Sequence, residues 1–249
     1  MRPKTNQEIE AMHEGGRMLA QVLDMLGRQV AAGMTTKELA DIAAVELKKL
    51  GGRPAFLDFE GFPDVACVSL NDEVVHGIPS NRRKIKHGDV VSIDFGVVYK
   101  SMVVDGAATF FVGDQLPADI KRLLDGTSRA LEAGIAAVKG EGARVGDIAS
   151  AVQNVLEQFK LGIVRDLVGH GVGHSMHEEP NIPNYGVAGT GPTLSRGMTI
   201  SIEPMATLGD WQVSLLQDGW TVVTSDGSLA AHFEHTILIT DNSAEIVTR

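Results

Sequence analysis

The chain has 249 residues, a formal net charge of −10 and a single cysteine, Cys67. The acidic balance argues against a general nucleic-acid binder, and one cysteine excludes an internal disulfide framework and fits a reducing compartment. No apolar signal core follows Met1, and no apolar run approaches the roughly 20 residues that a membrane span needs. We therefore expect a cytoplasmic protein that can bury a substantial core.

Apolar periodicity in the first half predicts two helices, at residues 7–28 and 36–49, with Thr35 and Glu38 forming a capping box before the second. An irregular aromatic segment follows. Stretches rich in β-branched residues then predict a strand at residues 66–70, a strand and turn at 71–79, and a hairpin that begins near residue 90.

Two carboxylates, Asp94 and Asp105, lie on the two arms of this hairpin. If the chain folds back about Tyr99 and Lys100, the two acids lie directly opposite each other on one face, roughly 5 Å apart. The turn lacks Gly, Asn and Asp, so a strict two-residue turn is not expected. Like charges so placed require a cation between them, and no Lys or Arg alternates into the hairpin near them. A bound metal ion is one interpretation, and two surface aspartates are the other.

The helical pattern restarts in the second half, at residues 117–138 and 146–160. A constant shift of 109 residues superimposes matching residues in two separate segments, including Gly33 with Gly142, Gly88 with Gly197, Ser92 with Ser201 and Asp94 with Glu203. This repeat predicts a duplicated unit of two helices followed by antiparallel strands. The expected architecture is α+β, with one shared sheet, helices on one face and a single domain over residues 1–249.

Three further residues have positions that suit metal ligation. His170 is flanked by glycines, while Glu203 and Glu234 interrupt apolar strands, where acids are rarely buried unless paired or coordinating. A flexible loop with incidental histidines is the alternative for the first. Together with the aspartates they suit two divalent ions roughly 3.5–4 Å apart. The oxygen-rich set favours manganese, iron or cobalt without excluding zinc.

The order of these five residues, with the contexts Gly-His-Gly-Val-Gly, Glu-Pro-Met and Glu-His-Thr, resembles the type I methionine aminopeptidases of metallopeptidase family M24 in their short bacterial form. The resemblance covers nearly the whole chain. It implies the pita-bread fold, in which two pseudo-symmetric halves surround one sheet. It also implies a dinuclear metal site of two divalent ions (Co, Mn, Fe or Zn), with the ligands Asp94, Asp105, His170, Glu203 and Glu234.

The same resemblance implies that His76 and His177 line the site without binding the metals. It assigns the walls of a methionine pocket to Phe59, Phe62, Cys67, Met176 and Trp220, for which ordinary core packing is the alternative. Val75 stands where relatives often have cysteine, and Met176 where many have an aromatic residue. The other histidines are expected to be structural or solvated: His13, His87, His174, His232 and His235.

The implied activity is hydrolytic removal of the initiator methionine from nascent or new polypeptides with a small second residue. Glu203 would move the proton of the attacking water, His177 would stabilise the tetrahedral intermediate, and His76 would hydrogen-bond the scissile amide. Two rivals remain. One is a proline-directed aminopeptidase or dipeptidase, which usually has a long amino-terminal domain, and the other is a non-catalytic pita-bread module that binds proteins or RNA.

The partners follow from the same interpretation. We expect nascent polypeptide amino termini as substrate, a monomeric protein, no membrane and no specific nucleic acid. A basic run at residues 82–87 predicts a solvated loop, and a ribosome-facing patch is the alternative interpretation.

Overall fold

Helices and strands alternate along the chain in two rounds. A computed structural model describes residues 1–249. The four helices are α1 (Asn6–Gln29), α2 (Thr36–Leu50), α3 (Ala118–Ala137) and α4 (Val145–Gln158). The strands of the first half are β1 (Arg53–Pro54), β2 (Cys67–Leu70), β3 (Glu73–Val75), β4 (Val90–Tyr99) and β5 (Met102–Phe111). Those of the second half are β6 (Gly162–Ile163), β7 (Gly169–Gly171), β8 (Glu178–Ile182), β9 (Thr199–Ile202), β10 (Met205–Thr207), β11 (Val213–Leu215), β12 (Val222–Thr224), β13 (Ala230–His232), β14 (Glu234–Ile239) and β15 (Ala244–Ile246).

The predicted helices are confirmed within a few residues at each end. Helix α2 begins with the predicted capping box, in which the Thr35 amide donates to Glu38 Oε2 at 2.6 Å and the Glu38 amide donates to Thr35 Oγ1 at 3.1 Å. Helix α1 begins with an equivalent box formed by Thr5 and Glu8. Both boxes satisfy amide groups that have no partner inside the helix. None of the four helices has both the length and the apolar character needed to cross a membrane.

The main sheet has nine strands, and its central strand comes late in the chain. Its order is β1-β4-β5-β14-β9-β7-β8, with β2 also paired to β4 and β15 to β14, and the recorded pairings are antiparallel. Two three-stranded sheets complete the structure, β13-β10-β6 and β11-β12-β3. Helix α1 packs on β4 and β5, while α3 contacts β14, β9 and β13. The predicted α+β class is confirmed.

The β4–β5 hairpin departs from the predicted register. The turn consists of Lys100 and Ser101, whose φ angles of 45° and 65° are those of a strict two-residue hairpin turn. Tyr99 therefore pairs with Met102, and Asp94 lies opposite Ala107 instead of Asp105. The prediction of directly opposed acids is wrong by two residues, because the turn is formed by Lys100 and Ser101, one residue later than the predicted Tyr99 and Lys100. A strict two-residue turn forms although it lacks Gly, Asn and Asp. An even shift keeps both acids on one face, as diagonal neighbours about 7–8 Å apart.

Details of the two halves recur at the shift of 109 residues. The isolated bridge between Thr35 and Lys84 has a counterpart between Arg144 and Thr193. The Gly33 amide donates to the Ile85 carbonyl, and the Gly142 amide likewise donates to the Leu194 carbonyl. Helices α2 and α4 begin at equivalent positions. These matches support our proposal that residues 1–249 form one domain built from two duplicated halves.

Two adjacent glycines in α1 provide a test of how closely this helix packs. A methyl group on Gly16 would overlap the carbonyl oxygen of Val247, whereas one on Gly15 would make ordinary contacts, the nearest to Tyr99 Cβ at 3.4 Å. Gly15→Ala should raise the free energy of unfolding by about 0.5–1 kcal/mol through helix propensity. Gly16→Ala should lower it by about 1–3 kcal/mol through overpacking. Urea denaturation measures both, and equal stability of the two variants would contradict the packing described.

Candidate metal centre

The five predicted ligands converge from five neighbouring strands of the main sheet onto one pocket. Asp94 and Asp105 come from β4 and β5, and Glu234 begins β14 between them and the second half. Glu203 directly follows β9, where Pro204 ends the strand because proline cannot donate to the ladder. His170 is the middle residue of β7. The sheet thus collects ligands from both halves of the chain at one place.

The glycines beside His170 are required by close backbone approaches. A side chain on Gly169 would overlap the carbonyl oxygen of Ser201, and one on Gly171 would meet the carbonyl oxygen of Glu179. Strand β7 therefore lies close to its neighbours on both sides, which places the His170 ring among the carboxylates. Its Nε2 lies 3.4 Å from Glu203 Oε1 and 3.9 Å from Asp105 Oδ2. One ligand atom each of Asp105, His170 and Glu234 lies within 4.8 Å of the others.

Five acids line this pocket, including the four predicted ligands, and no Lys or Arg lines it. Burial raises the pKa of all four carboxyl groups, and repulsion by neighbouring carboxylates adds to the effect at Asp94, Glu203 and Glu234. The pKa of Asp105 rises to about 7, although the hydrogen bond from the Gly106 amide lowers it. A divalent cation offsets both the desolvation and the repulsion.

The residues present fit divalent metal ions. Asp94 Oδ1 is buried without a hydrogen-bond partner, which leaves it free to coordinate. Burial, followed by the neighbouring His177, lowers the pKa of His170 to about 4, so its ring is neutral. Its Nδ1 donates to the Gly171 carbonyl at 2.9 Å, which leaves the lone pair of Nε2 facing the carboxylates. A tautomer fixed in this way is the usual arrangement for a metal-binding histidine.

The predicted methionine-pocket residues form an apolar wall beside the acids. All five line the same pocket as the acids: Phe59, Phe62, Cys67, Met176 and Trp220. The Phe62 and Trp220 rings meet edge to face with centroids 5.2 Å apart. Phe62 also belongs to the buried core of the first half. This residue is therefore part of the pocket wall and of the core at the same time. The pocket therefore has a charged floor and an apolar side, the chemistry needed to hold an apolar side chain next to a hydrolytic centre.

His76 and His177 also line this pocket. His177 is exposed, with its ring 5.3 Å from that of Phe59 and 4.4 Å from that of His170. His76 has a φ of 60°, a left-handed conformation rare for residues other than glycine. Its ring lies edge-on to Trp220 with centroids 6.3 Å apart. Neither imidazole makes a hydrogen bond or ion pair with the site carboxylates, so both remain available to a bound molecule.

Sequence reasoning missed two polar residues of the pocket. His232, expected to be structural or solvated, is 2% exposed and lines the pocket beside Glu203 and Glu234. No spacing along one strand marked it, because His232 ends β13 and Glu234 begins β14, and these strands belong to different sheets. Glu60 also lines the pocket, from a short 3₁₀ turn at Phe59–Gly61 in which its φ is 51°.

The four other histidines lie outside the pocket, where each has a polar neighbour. His174 Nε2 lies 3.1 Å from Glu8 Oε1, and His235 Nδ1 lies 2.9 Å from Thr248 Oγ1. His13 and His87 approach Glu245 and Asp114 respectively.

The basic run is only partly a solvated loop. Arg83 pairs with Glu73 and donates to the carbonyl of Ile78 at 3.0 Å, so it ties the loop to β3. The other basic residues of the run are exposed: Arg82, Lys84, Lys86 and His87.

Acids and an imidazole gathered on the floor of an apolar pocket are an arrangement typical of metal-dependent hydrolases. The model of metallopeptidase family M24 matches residues 10–241. Methionine aminopeptidase 1 of Bacillus subtilis is 44% identical over 246 residues, which cover 99% of this chain and 98% of that protein. The chain therefore belongs to metallopeptidase family M24, in its methionine aminopeptidase branch.

Solved structures agree with this assignment. The methionine aminopeptidase of Thermotoga maritima is 44% identical and has a TM-score of 0.97, with 100% of this chain and 99% of that one covered. A prolidase from Pyrococcus furiosus has a TM-score of 0.79 at 23% identity, covering 99% of this chain and 65% of that one, which is a likeness of fold alone. The expected pita-bread fold is confirmed.

The contrast between His170 and His177 predicts different effects on metal binding. His170→Ala removes a nitrogen that faces two carboxylates. It should weaken metal affinity by more than the roughly 10- to 100-fold typical of losing an outer-sphere partner. His177→Ala, the matched control, should leave affinity unchanged. Titration calorimetry with Mn²⁺ on metal-free protein measures both, and the reverse pattern would exchange the two roles.

Proposed function

We propose that this protein is a methionyl aminopeptidase that hydrolytically removes the initiator methionine from nascent or newly made proteins with a small second residue. The observation that carries this function is the apolar wall placed directly against a buried set of metal ligands in one pocket. Identity of 44% with methionine aminopeptidase 1 of B. subtilis over nearly the whole of both chains supports it.

Two divalent ions would be held by Asp94, Asp105, His170, Glu203 and Glu234. When bound, such ions lower the pKa of a water molecule and polarise a carbonyl group. The oxygen-rich set favours manganese, iron or cobalt, and zinc is also compatible. The Ser201 hydroxyl, which donates to Glu234 Oε1, would fix the orientation of that carboxylate. The Gly106 amide, which donates to Asp105 Oδ1 at 3.0 Å, would do the same for the aspartate.

Glu203 is our proposed proton carrier. Its side chain accepts no hydrogen bond in the structure, while the backbone carbonyl is held by Asn184 Nδ2 at 3.1 Å. A carboxylate whose pKa is raised by burial can accept a proton from the attacking water and release it to the departing amine. Of the four acids, it also lies nearest to His170.

His177 and His76 act on the substrate in this proposal. His177 stands free at the exposed edge of the pocket, where its N–H can donate to the carbonyl oxygen as negative charge develops there. His76 faces the Trp220 side of the same pocket, where it can hydrogen-bond the scissile amide. Loss of hydration lowers the pKa of both imidazoles, which favours their neutral, hydrogen-bond-donating form.

The methionine side chain would lie against Phe59, Phe62, Cys67, Met176 and Trp220. Sulfur near aromatic ring edges is favourable, and four Phe and Trp rings line the pocket. Val75 and Met176, the two positions that depart from the family pattern, both line this pocket. Val75 contributes β-branched apolar surface where relatives often have cysteine. Met176 contributes flexible apolar surface where many relatives have an aromatic residue.

Location and partners complete the proposal. A cytoplasmic monomer acting on polypeptide amino termini fits the single buried cysteine and the acidic net charge. The exposed basic residues Arg82, Lys84, Lys86 and His87 are available for contact with ribosomal RNA, although Arg83 is committed to Glu73.

A substrate panel tests the proposed function. The value of kcat/KM for peptides beginning Met-Ala or Met-Gly should exceed that for Leu-Ala by at least about 10- to 200-fold, the range of apolar pockets. Met-Leu and Met-Lys peptides should also be poor, because bulk beside the ligand cluster is excluded. A peptide beginning Leu-Pro is the matched control for proline-directed cleavage. Preference for Xaa-Pro bonds regardless of the first residue would instead favour a proline-directed enzyme.

Metal removal provides a second test. Dialysis against a chelator should abolish hydrolysis of Met-Ala peptides, and Mn²⁺ or Co²⁺ should restore it, because carboxylate oxygens exchange such ions readily. Elemental analysis verifies removal, and circular dichroism verifies that the fold persists. Full activity in verified metal-free protein would refute metal dependence.

A further inference from the structure

His232 is the one histidine in the pocket whose ring nitrogens are both buried and both without a partner. Its backbone, by contrast, is held at both ends by one side chain. The Thr109 hydroxyl donates to the His232 carbonyl at 2.7 Å, and the His232 amide donates to Thr109 Oγ1 at 2.9 Å. Buried polar groups are normally hydrogen-bonded, so an unpartnered ring on a fixed backbone indicates a partner engaged in the working state.

The ring faces the free oxygens of two glutamates. His232 Nε2 lies 3.9 Å from Glu203 Oε2 and 3.8 Å from Glu234 Oε2. Of the two remaining oxygens, Glu234 Oε1 accepts from the Ser201 hydroxyl, whereas Glu203 Oε1 lies 3.4 Å from the lone pair of His170 Nε2 and accepts no hydrogen bond. An ionised carboxylate can only accept hydrogen bonds, so a hydrogen bond from this ring to either ionised glutamate requires the proton to be on Nε2.

We propose that His232 is a positioning residue whose Nε2–H donates to Oε2 of Glu203 and so holds this carboxylate in the orientation for proton transfer. The proposal rests on the proposed function, in which Glu203 carries the proton. Hydrogen bonds in catalytic sites are often long in the absence of substrate and tighten in the working complex, which accommodates the 3.9 Å separation.

Glu203 is the partner rather than Glu234 because it alone lacks another side-chain donor. The Ser201 hydroxyl already fixes Glu234, whereas no hydroxyl or amide donates to the carboxylate of Glu203. Metal ligation by His232 is disfavoured by comparison with His170. The Nδ1 of His170 is anchored on the Gly171 carbonyl, as a metal-binding imidazole requires, but the Nδ1 of His232 has no anchor.

Three substitutions identify which atom of His232 acts. The amide nitrogen of glutamine is three bonds from Cβ, as Nε2 is, whereas that of asparagine is two bonds away, as Nδ1 is. His232→Gln should therefore keep kcat on a Met-Ala peptide within about threefold. His232→Asn and His232→Leu should each lower kcat by about 10- to 100-fold, the effect typical of losing an outer-sphere partner. KM and metal content per chain, measured by elemental analysis, should not change in any of them.

Other results would contradict the proposal, and each would point to a different role for His232. Loss of metal in all three variants would make His232 a ligand. A raised KM with weaker discrimination between Met-Ala and Leu-Ala at constant kcat would make it part of the methionine wall. Equal activity of His232→Gln and His232→Leu would remove any donor role, and circular dichroism identifies a variant that fails to fold. Inactivity of the unchanged protein on Met-Ala with Mn²⁺ bound would overturn the proposed function itself.

Discussion

Three buried carboxyl groups and a fourth, half-buried one lie together without a Lys or Arg, and this is the constraint on which the structure depends. Desolvation and mutual repulsion both oppose ionisation there, and the few donors present, such as Ser201 and the Gly106 amide, offset little of this cost. Divalent cations offset it directly. The arrangement is therefore unfavourable for packing alone and favourable for holding ions. The long hairpin, the glycines around His170 and the proline after Glu203 all serve to bring these acids together.

The pocket combines two kinds of surface, a group of charged side chains and an apolar wall, which lie next to each other. The proposed metal ligands come from the ends and middles of adjacent strands, whose positions are fixed by backbone hydrogen bonds. The apolar wall comes largely from the aromatic segment around Phe59 and from Trp220, which lie outside the central sheet. Rings that also belong to the core, such as Phe62, give this wall rigidity. A rigid wall beside fixed ligands can discriminate between side chains of similar size.

Much of this organisation was predictable because it depends on local signals. Helical periodicity, the capping box at Thr35 and the repeat required no knowledge of tertiary contacts. The β4–β5 register was not predictable, since Lys100 and Ser101 adopt positive φ angles that their residue types disfavour. His232 was missed because its burial depends on strands from distant parts of the chain, and no local pattern distinguishes a buried imidazole from a solvated one. Glu60 was missed for a similar reason, because an exposed acid in an aromatic turn gives no sign of what it faces.

The position of β14 has a consequence for how the protein is made. This strand lies between β5 and β9, yet it follows both of them, and every other strand on the main path of the sheet, in chain order. During synthesis β5 and β9 are therefore made before the strand that joins them, and the sheet is incomplete at its centre until β14 has been made. Glu234 arrives with the strand that fills this gap. Closure of the sheet and the arrival of Glu234 beside the other acids of the pocket are therefore a single late event, so the proposed metal site can form only after nearly the whole chain has been made.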